Sequence, residues 1–218
     1  FAYDSKPVLR DISLRIRPGE KVLLSGANGS GKSTLVKMIL GLYSPGKGEI
    51  LIDGKRIEEI SLSSLRDKIS IVSQNTFLFA DTIWNNILYS RPDASVEEVR
   101  KAAEVAGASE FIEKLEQEYE TVVGEMGKRL SGGEKQKIAL ARALLKKAEI
   151  IIFDEAASHL DREGERRLME IIGERFKEKT CILISHRSED LASVDRMIRL
   201  ERGRIRENIS NRHPSLSR

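Results

Sequence analysis

Cysteine is almost missing from this chain. Its 218 residues include one, Cys181, which excludes an intrachain disulfide and a thiolate zinc cluster. That thiol lies in the apolar run Cys181-Ile182-Leu183-Ile184 and reads as buried and inert. An excess of one charge sign is missing too. The 37 Lys+Arg against 34 Asp+Glu leave a net charge of +3, too balanced to argue for nucleic-acid or membrane-surface binding. No apolar run approaches the roughly 18 residues that cross a bilayer. No signal peptide and no internal repeat is visible. What remains, 40% hydrophobic and 33% charged residues, is the composition of a globular protein with a real core. The length suits one large domain, or one domain with an inserted lobe. The chain begins at Phe1 without Met, so we expect it to belong to a longer polypeptide.

Periodicity divides the chain into three stretches. Val8 to Ile16 alternates weakly and reads as strand, followed by the turn Pro18-Gly19. Val22 to Ser25 is a short apolar strand that enters a glycine-rich turn. A helix follows, with Leu35, Met38, Ile39 and Leu42 at helical spacing and Gly41 as its end signal. Ile50 to Ile52 with Asp53-Gly54 reads as a strand entering a tight turn. The middle, about 77 to 147, is mostly helical, with amphipathic patterns over Val96 to Ala106 and Glu110 to Gln117. Ser131-Gly132-Gly133-Glu134 opens a further helix in capping-box form, with Lys146 and Lys147 at its negative end. Alternation returns in the last third. Ile150 to Phe153, Cys181 to Ser185 and Met197 to Leu200 read as strands, and Glu163 to Phe176 as a helix. Strands alternating with helices around a helical insertion predict an α/β core with a mostly parallel sheet. The domain is expected over residues 1–208, with a polar, frayed tail at 209–218.

Chemistry concentrates at two strand ends. Gly26-Ala27-Asn28-Gly29-Ser30-Gly31-Lys32-Ser33 is a complete P-loop pattern between a strand and a helix. Glycines let the backbone curl until successive N–H groups aim at phosphate oxygens, and the helix start adds its positive end. Lys32 should reach the β- and γ-phosphates of a nucleotide. Ser33 should offer its hydroxyl to Mg²⁺, and Thr34 should support the turn. Ile150-Ile151-Ile152-Phe153-Asp154-Glu155 is a buried-type strand ending in two carboxylates, at the end where parallel sheets bind ligands. Asp154 would hold Mg²⁺, directly or through water, and Glu155 could polarise an attacking water. His186 follows the strand Cys181 to Ser185. By itself it reads equally as a structural or exposed histidine and as a γ-phosphate contact.

The P-loop, the acidic strand and Leu130-Ser131-Gly132-Gly133-Glu134, in this order with helix between, resemble the nucleotide-binding domain of ABC proteins from about Phe1 to Asn208. The resemblance implies a P-loop NTPase core with an N-terminal antiparallel β portion and an inserted α-helical subdomain. It also implies ATP and Mg²⁺ as ligands, with Tyr3 stacking on adenine. Gln74 resembles the lid glutamine that touches Mg²⁺ and couples to a membrane domain. Ser158 to Asp161 resembles the loop that crosses between subunits, and His186 the switch histidine. In such proteins Ser131, Gly132 and Gly133 would bind the γ-phosphate of ATP held by a second subunit, so that two domains bury two ATPs head to tail. The pairing would be between identical or different copies. Two departures stand out, Glu134 where many members have glutamine and His159 where alanine is common; neither is expected to touch the chemistry.

Two stretches resemble the exporter branch, Thr82 to Ile87 and Thr121 to Gly127, and Phe77-Leu78-Phe79 near Gln74 reads either as local core or as an apolar docking surface for a helix. They imply transmembrane domains as partners, fused upstream or on separate chains, and a place on the cytoplasmic face of a membrane. The alternatives are an importer motor, a soluble ABC protein of nucleic-acid or translation work, and a nucleotide switch without turnover. No sustained heptad run supports a repair-type coiled coil, the near-neutral charge argues against nucleic acid, and Glu155 argues against a switch.

Overall fold

The computed structural model describes residues 1–4, 6–158, 160–185 and 194–210. In chain order its strands are β1 (Ala2–Tyr3), β2 (Lys6–Pro7), β3 (Lys21–Ser25), β4 (Leu51–Ile52) and β5 (Lys55–Arg56), then β6 (Ile69–Ser73), β7 (Ile150–Asp154), β8 (Thr180–Ile184), β9 (Arg196–Glu201) and β10 (Arg204–Ser210). Its helices are α1 (Lys32–Ile39), α2 (Leu62–Lys68), α3 (Ile83–Leu88), α4 (Val96–Val105), α5 (Ser109–Ile112), α6 (Gly132–Lys146) and α7 (Arg162–Glu174). Packing separates two compact units, Phe1–Ile69 with Glu178–Arg218, and Ser70–Lys177.

In the first unit, β3 lies between β8 and β9 and runs parallel to both, with Leu23 opposite Leu183 on one side and Met197 on the other. Val22, Leu23 and Leu24 are buried, as expected of a strand covered on both faces. β10 adds antiparallel to β9 across the Arg202-Gly203 turn, with a bulge at Arg206. β1 and β2 form a small antiparallel pair, Tyr3 opposite Lys6. β4 and β5 form a hairpin whose turn residues Asp53 and Gly54 have φ of 52° and 78°, the left-handed pair that the sequence Asp-Gly favours. α1 ends at Gly41, whose φ is 71° and whose N–H donates to Met38 O.

The second unit holds β6 beside β7 and the helices α3 to α7. Its helical core is mostly aliphatic: Ile83, Ile87, Val99, Ile112 and Ile138 are fully buried among α3, α4, α5 and α6. Ser95 caps α4 and Ser131 caps α6, each in a reciprocal capping box with the glutamate three residues on.

Three expectations need correction. Val8 to Ile16 is not a strand; Asp11 turns left-handed at φ 51°, and Arg10 N–H makes a single bond to Gly203 O in place of a ladder. The helix expected over Glu110 to Gln117 is α5 alone, followed by a 3₁₀ turn at Glu118–Glu120 that seats Tyr119 in the core. The tail does not begin after Asn208, because β10 runs to Ser210 on hydrogen bonds to β9. α2, β6 and β10 went unseen in the periodicity, as did the two-residue strands β1, β2 and β5.

Candidate functional site

The first unit carries the glycine loop. β3 delivers the chain at Ser25, and Gly26, Gly29 and Gly31 then take φ of 147°, 77° and 109°. Space matters as much as torsion at Gly26, where a Cβ would fall 2.2 Å from Leu200 O, and at Gly31, where it would fall 2.7 Å from Leu9 Cδ2. Gly203 N–H donates to Ser30 O at 2.9 Å, so the β9–β10 turn props the loop from below. Inside the curl, buried Lys32 donates through Nζ to Gly26 O at 2.6 Å and Ala27 O at 3.1 Å. The Ser30 hydroxyl is buried with no hydrogen-bond partner. Ala27, Asn28 and Gly29 form an exposed rim, Ser33 is exposed at the first turn of α1, and Thr34 is buried beneath it. A loop that admits no side chain, an ammonium turned into it and a helix start suit a polyphosphate anion.

Tyr3 stands on β1 in an aromatic cluster with Phe1 and Tyr43, its ring edge-on to both at 4.9 Å and 5.3 Å. It is half-buried.

In the second unit, Asp154 is the last residue of β7, and Glu155 follows with a left-handed φ of 51°. For a non-glycine this conformation costs about 1 kcal/mol or more, and such strain gathers at functional sites. Glu155 O accepts from Ser158 N at 3.0 Å, which closes a turn after the strand. Gln74 is exposed just beyond β6, the strand next to β7. Ser33, Asp154 and Gln74 all offer hard oxygen, the donor type that suits Mg²⁺. Among the described residues no group of three His, Cys, Asp or Glu is gathered to hold a metal.

Ser131 and Gly132 are exposed at the start of α6, whose first amides have no partner within the helix. Glu134 closes the capping box expected from the sequence. Its Oε2 accepts from Ser131 N at 2.7 Å and from Ser131 Oγ at 2.8 Å. Of the crossing loop, Ser158 is exposed and Asp161 caps α7 by accepting from Gly164 N at 2.8 Å. His159 and His186 lie outside the described residues.

The stretches Thr82 to Ile87 and Thr121 to Gly127 meet. Thr82 and Val122 form an antiparallel bridge, Ile83 N–H donates to Thr121 O, and Val123 N–H donates to Asp81 O. The Phe77-Leu78-Phe79 run serves both readings: Leu78 is fully buried, whereas Phe77 and Phe79 are exposed and stacked edge to face, with Tyr89 against Phe79. A clasp that sequence reasoning missed fixes that surface. Arg142 of α6 donates to Phe77 O, Asn86 O and Asn86 Oδ1, and burial pushes its guanidinium down to about 10, still charged at neutral pH. The one sequence signal for it is Asn86, a polar residue next to Asn85 in the short helix α3.

Comparison with known proteins bears on the same features. Residues 9–158 match the family model described as ABC transporter. The "ATP-dependent lipid A-core flippase" of Syntrophus aciditrophicus is 48% identical over 207 residues, which are 95% of this chain and 34% of that protein. "ABC transporter B family member 21" of Arabidopsis thaliana is 44% identical over 97% of this chain and 16% of its own length. A solved structure, "Structure of a bacterial Atm1-family ABC exporter with ATP bound", superposes with a TM-score of 0.93 at 41% identity, over 96% of this chain and 37% of that one. The chain thus spans about a third or less of the relatives it matches. With a P-loop, an acidic strand end and a capped Ser-Gly-Gly helix start in a matching fold, the chain belongs to the ABC transporter family, as its nucleotide-binding domain.

Proposed function

We propose that this domain binds and hydrolyses ATP to drive export across a membrane, working at the cytoplasmic face beneath transmembrane domains. The observation that carries the reading is the loop Gly26–Ser33: three glycines at positive φ around a buried lysine ammonium. Lys32 would neutralise the β- and γ-phosphates, with the amides of Gly26 to Ser33 as donors and Tyr3 stacking on adenine. Mg²⁺, held by Ser33, Asp154 and Gln74, would offset phosphate charge when bound. Glu155 would orient the attacking water and His186 would contact the γ-phosphate. Ser131, Gly132 and Gly133 would seal the ATP of a second copy, identical or homologous, in a head-to-tail pair. Catalysis is then mainly positioning and charge neutralisation. The joined stretches at Thr82 and Val122 favour an exporter over an importer, in keeping with the exporter and flippase names among the relatives.

Glu155→Gln tests the reading. It should bind Mg²⁺–ATP, release almost no phosphate and accumulate as a dimer in sizing or sedimentation. A variant that stays monomeric at saturating ATP refutes the paired arrangement. Wild-type protein that binds ATP without turnover is a switch and not a motor.

A further inference from the structure

We infer that Glu134 competes with ATP for the donors of Ser131, and so sets the affinity with which two copies close. The inference rests on the reading of Ser131 as a contact to a partner copy's γ-phosphate.

The competition is one of hydrogen atoms. Ser131 has one hydroxyl hydrogen and one amide hydrogen, and both point to the same carboxylate oxygen, Glu134 Oε2, at 2.8 Å and 2.7 Å. Glu134 N–H in turn donates to Ser131 Oγ at 3.3 Å, which holds the hydroxyl oxygen in place and leaves its hydrogen directed at the carboxylate. A phosphate oxygen arriving at Ser131 meets donors already engaged, and engaged by an anion. Either the carboxylate turns away and the helix start loses the reciprocal half of its capping box, or two anions share one serine.

The cap itself does not require the charge. A capping box works with glutamine as well as glutamate, since the amide oxygen accepts from the same N–H. Glutamine would therefore keep the fold of this turn while removing the negative charge and weakening the grip on Ser131. Two unit charges about 4 Å apart in a water-like medium interact by roughly fivefold in an equilibrium constant. A head-to-tail pair contains the contact twice, so the dimer constant should move roughly 25-fold.

The experiment uses the Glu155→Gln chain, in which ATP persists, with and without Glu134→Gln. Dimer dissociation is measured by sedimentation at saturating Mg²⁺–ATP, in low and high salt. The double variant should dimerise roughly 25-fold more tightly at low salt, and the gain should shrink at high salt as the charges are screened. The melting temperature of the ATP-free monomer should barely move. Equal or weaker dimerisation in the double variant overturns the inference and leaves the paired arrangement standing. So does a gain indifferent to salt, which would mark a change in the cap alone. If Glu155→Gln binds ATP yet neither variant dimerises, the two-copy reading itself fails and takes the inference with it.

Discussion

Asn86→Ala should be among the most damaging single changes in the Ser70–Lys177 unit, although Asn86 touches no proposed ligand. The side chain is fully buried and saturated. Its Oδ1 accepts from Phe79 N at 2.9 Å and Arg142 Nη2 at 2.5 Å, and its Nδ2 donates to Thr82 O at 2.9 Å and Phe79 O at 3.1 Å. A neutral hydrogen bond contributes about 1 kcal/mol net, and one to a charged group about 1.5–3 kcal/mol. Arg142 keeps Phe77 O and the backbone O of residue 86, so its charge is not stranded completely. Three neutral bonds and one to a charge sum to about 4.5–6 kcal/mol, and the partners Arg142 keeps place the expected loss at the lower end of that range. Trp84 is the natural reporter: it is the one tryptophan of the chain, two positions away, and edge-on to Tyr119 at 5.9 Å. Urea unfolding followed by its emission reads the unit in which Asn86 sits. Asn86→Leu fills the space but strands the same groups, so it should lose at least as much stability as alanine. A loss below about 1 kcal/mol for both variants would refute the account of the clasp.

Other perturbations probe other parts. Lys32→Ala should weaken Mg²⁺–ATP binding or turnover by at least tenfold, because the phosphates lose their ammonium; unchanged phosphate release would contradict the cradle. Gly26→Ala places a Cβ 2.2 Å from Leu200 O and should destabilise the first unit by more than about 2 kcal/mol while abolishing nucleotide binding, read by thermal melting and titration. Glu98 accepts from Lys147 and from Ser95 N and pairs with Arg91, and the hydrogen bond from Arg91 leads in holding its carboxyl down at about 2, below the ordinary 4.5. The depressed value places its contribution fully above pH 4.5 and removes it as pH falls from 4.5 through 2. Acid melts of Glu98→Gln should lose that part of the pH dependence, and a curve parallel to wild type would sink the assignment.

What could be read in the sequence, and what could not, divides along a physical line. The glycine loop was legible because its constraint is local: Gly26, Gly29 and Gly31 take torsions that other residues avoid, so the pattern states its own conformation. The Asp53-Gly54 turn and the capping box at Ser131 were legible for the same reason. The helix expected over Glu110 to Gln117 failed because amphipathic spacing persisted where the chain had turned to seat Tyr119 against Ser109 and Trp84. The grip of Glu134 on Ser131 sits between the two cases. The capping box predicts that Glu134 reaches back to Ser131 N–H, yet it does not say that the hydroxyl will donate to the same oxygen. That second bond depends on the rotamer, and the rotamer is what turns a cap into a competitor. The Arg142 clasp lies almost wholly beyond sequence, since it joins Arg142 to residues 56 and 65 positions away through two backbone carbonyls and an amide. Backbone carbonyls have no residue identity, so no motif can carry them. A substitution at Phe77 that preserves its carbonyl should leave the clasp closed, whereas any change at Arg142 opens it. Exchanging Arg142 for lysine keeps the charge but loses the planar fork that reaches Asn86 and Phe77 at once, so it should fall nearer to methionine than to wild type in stability.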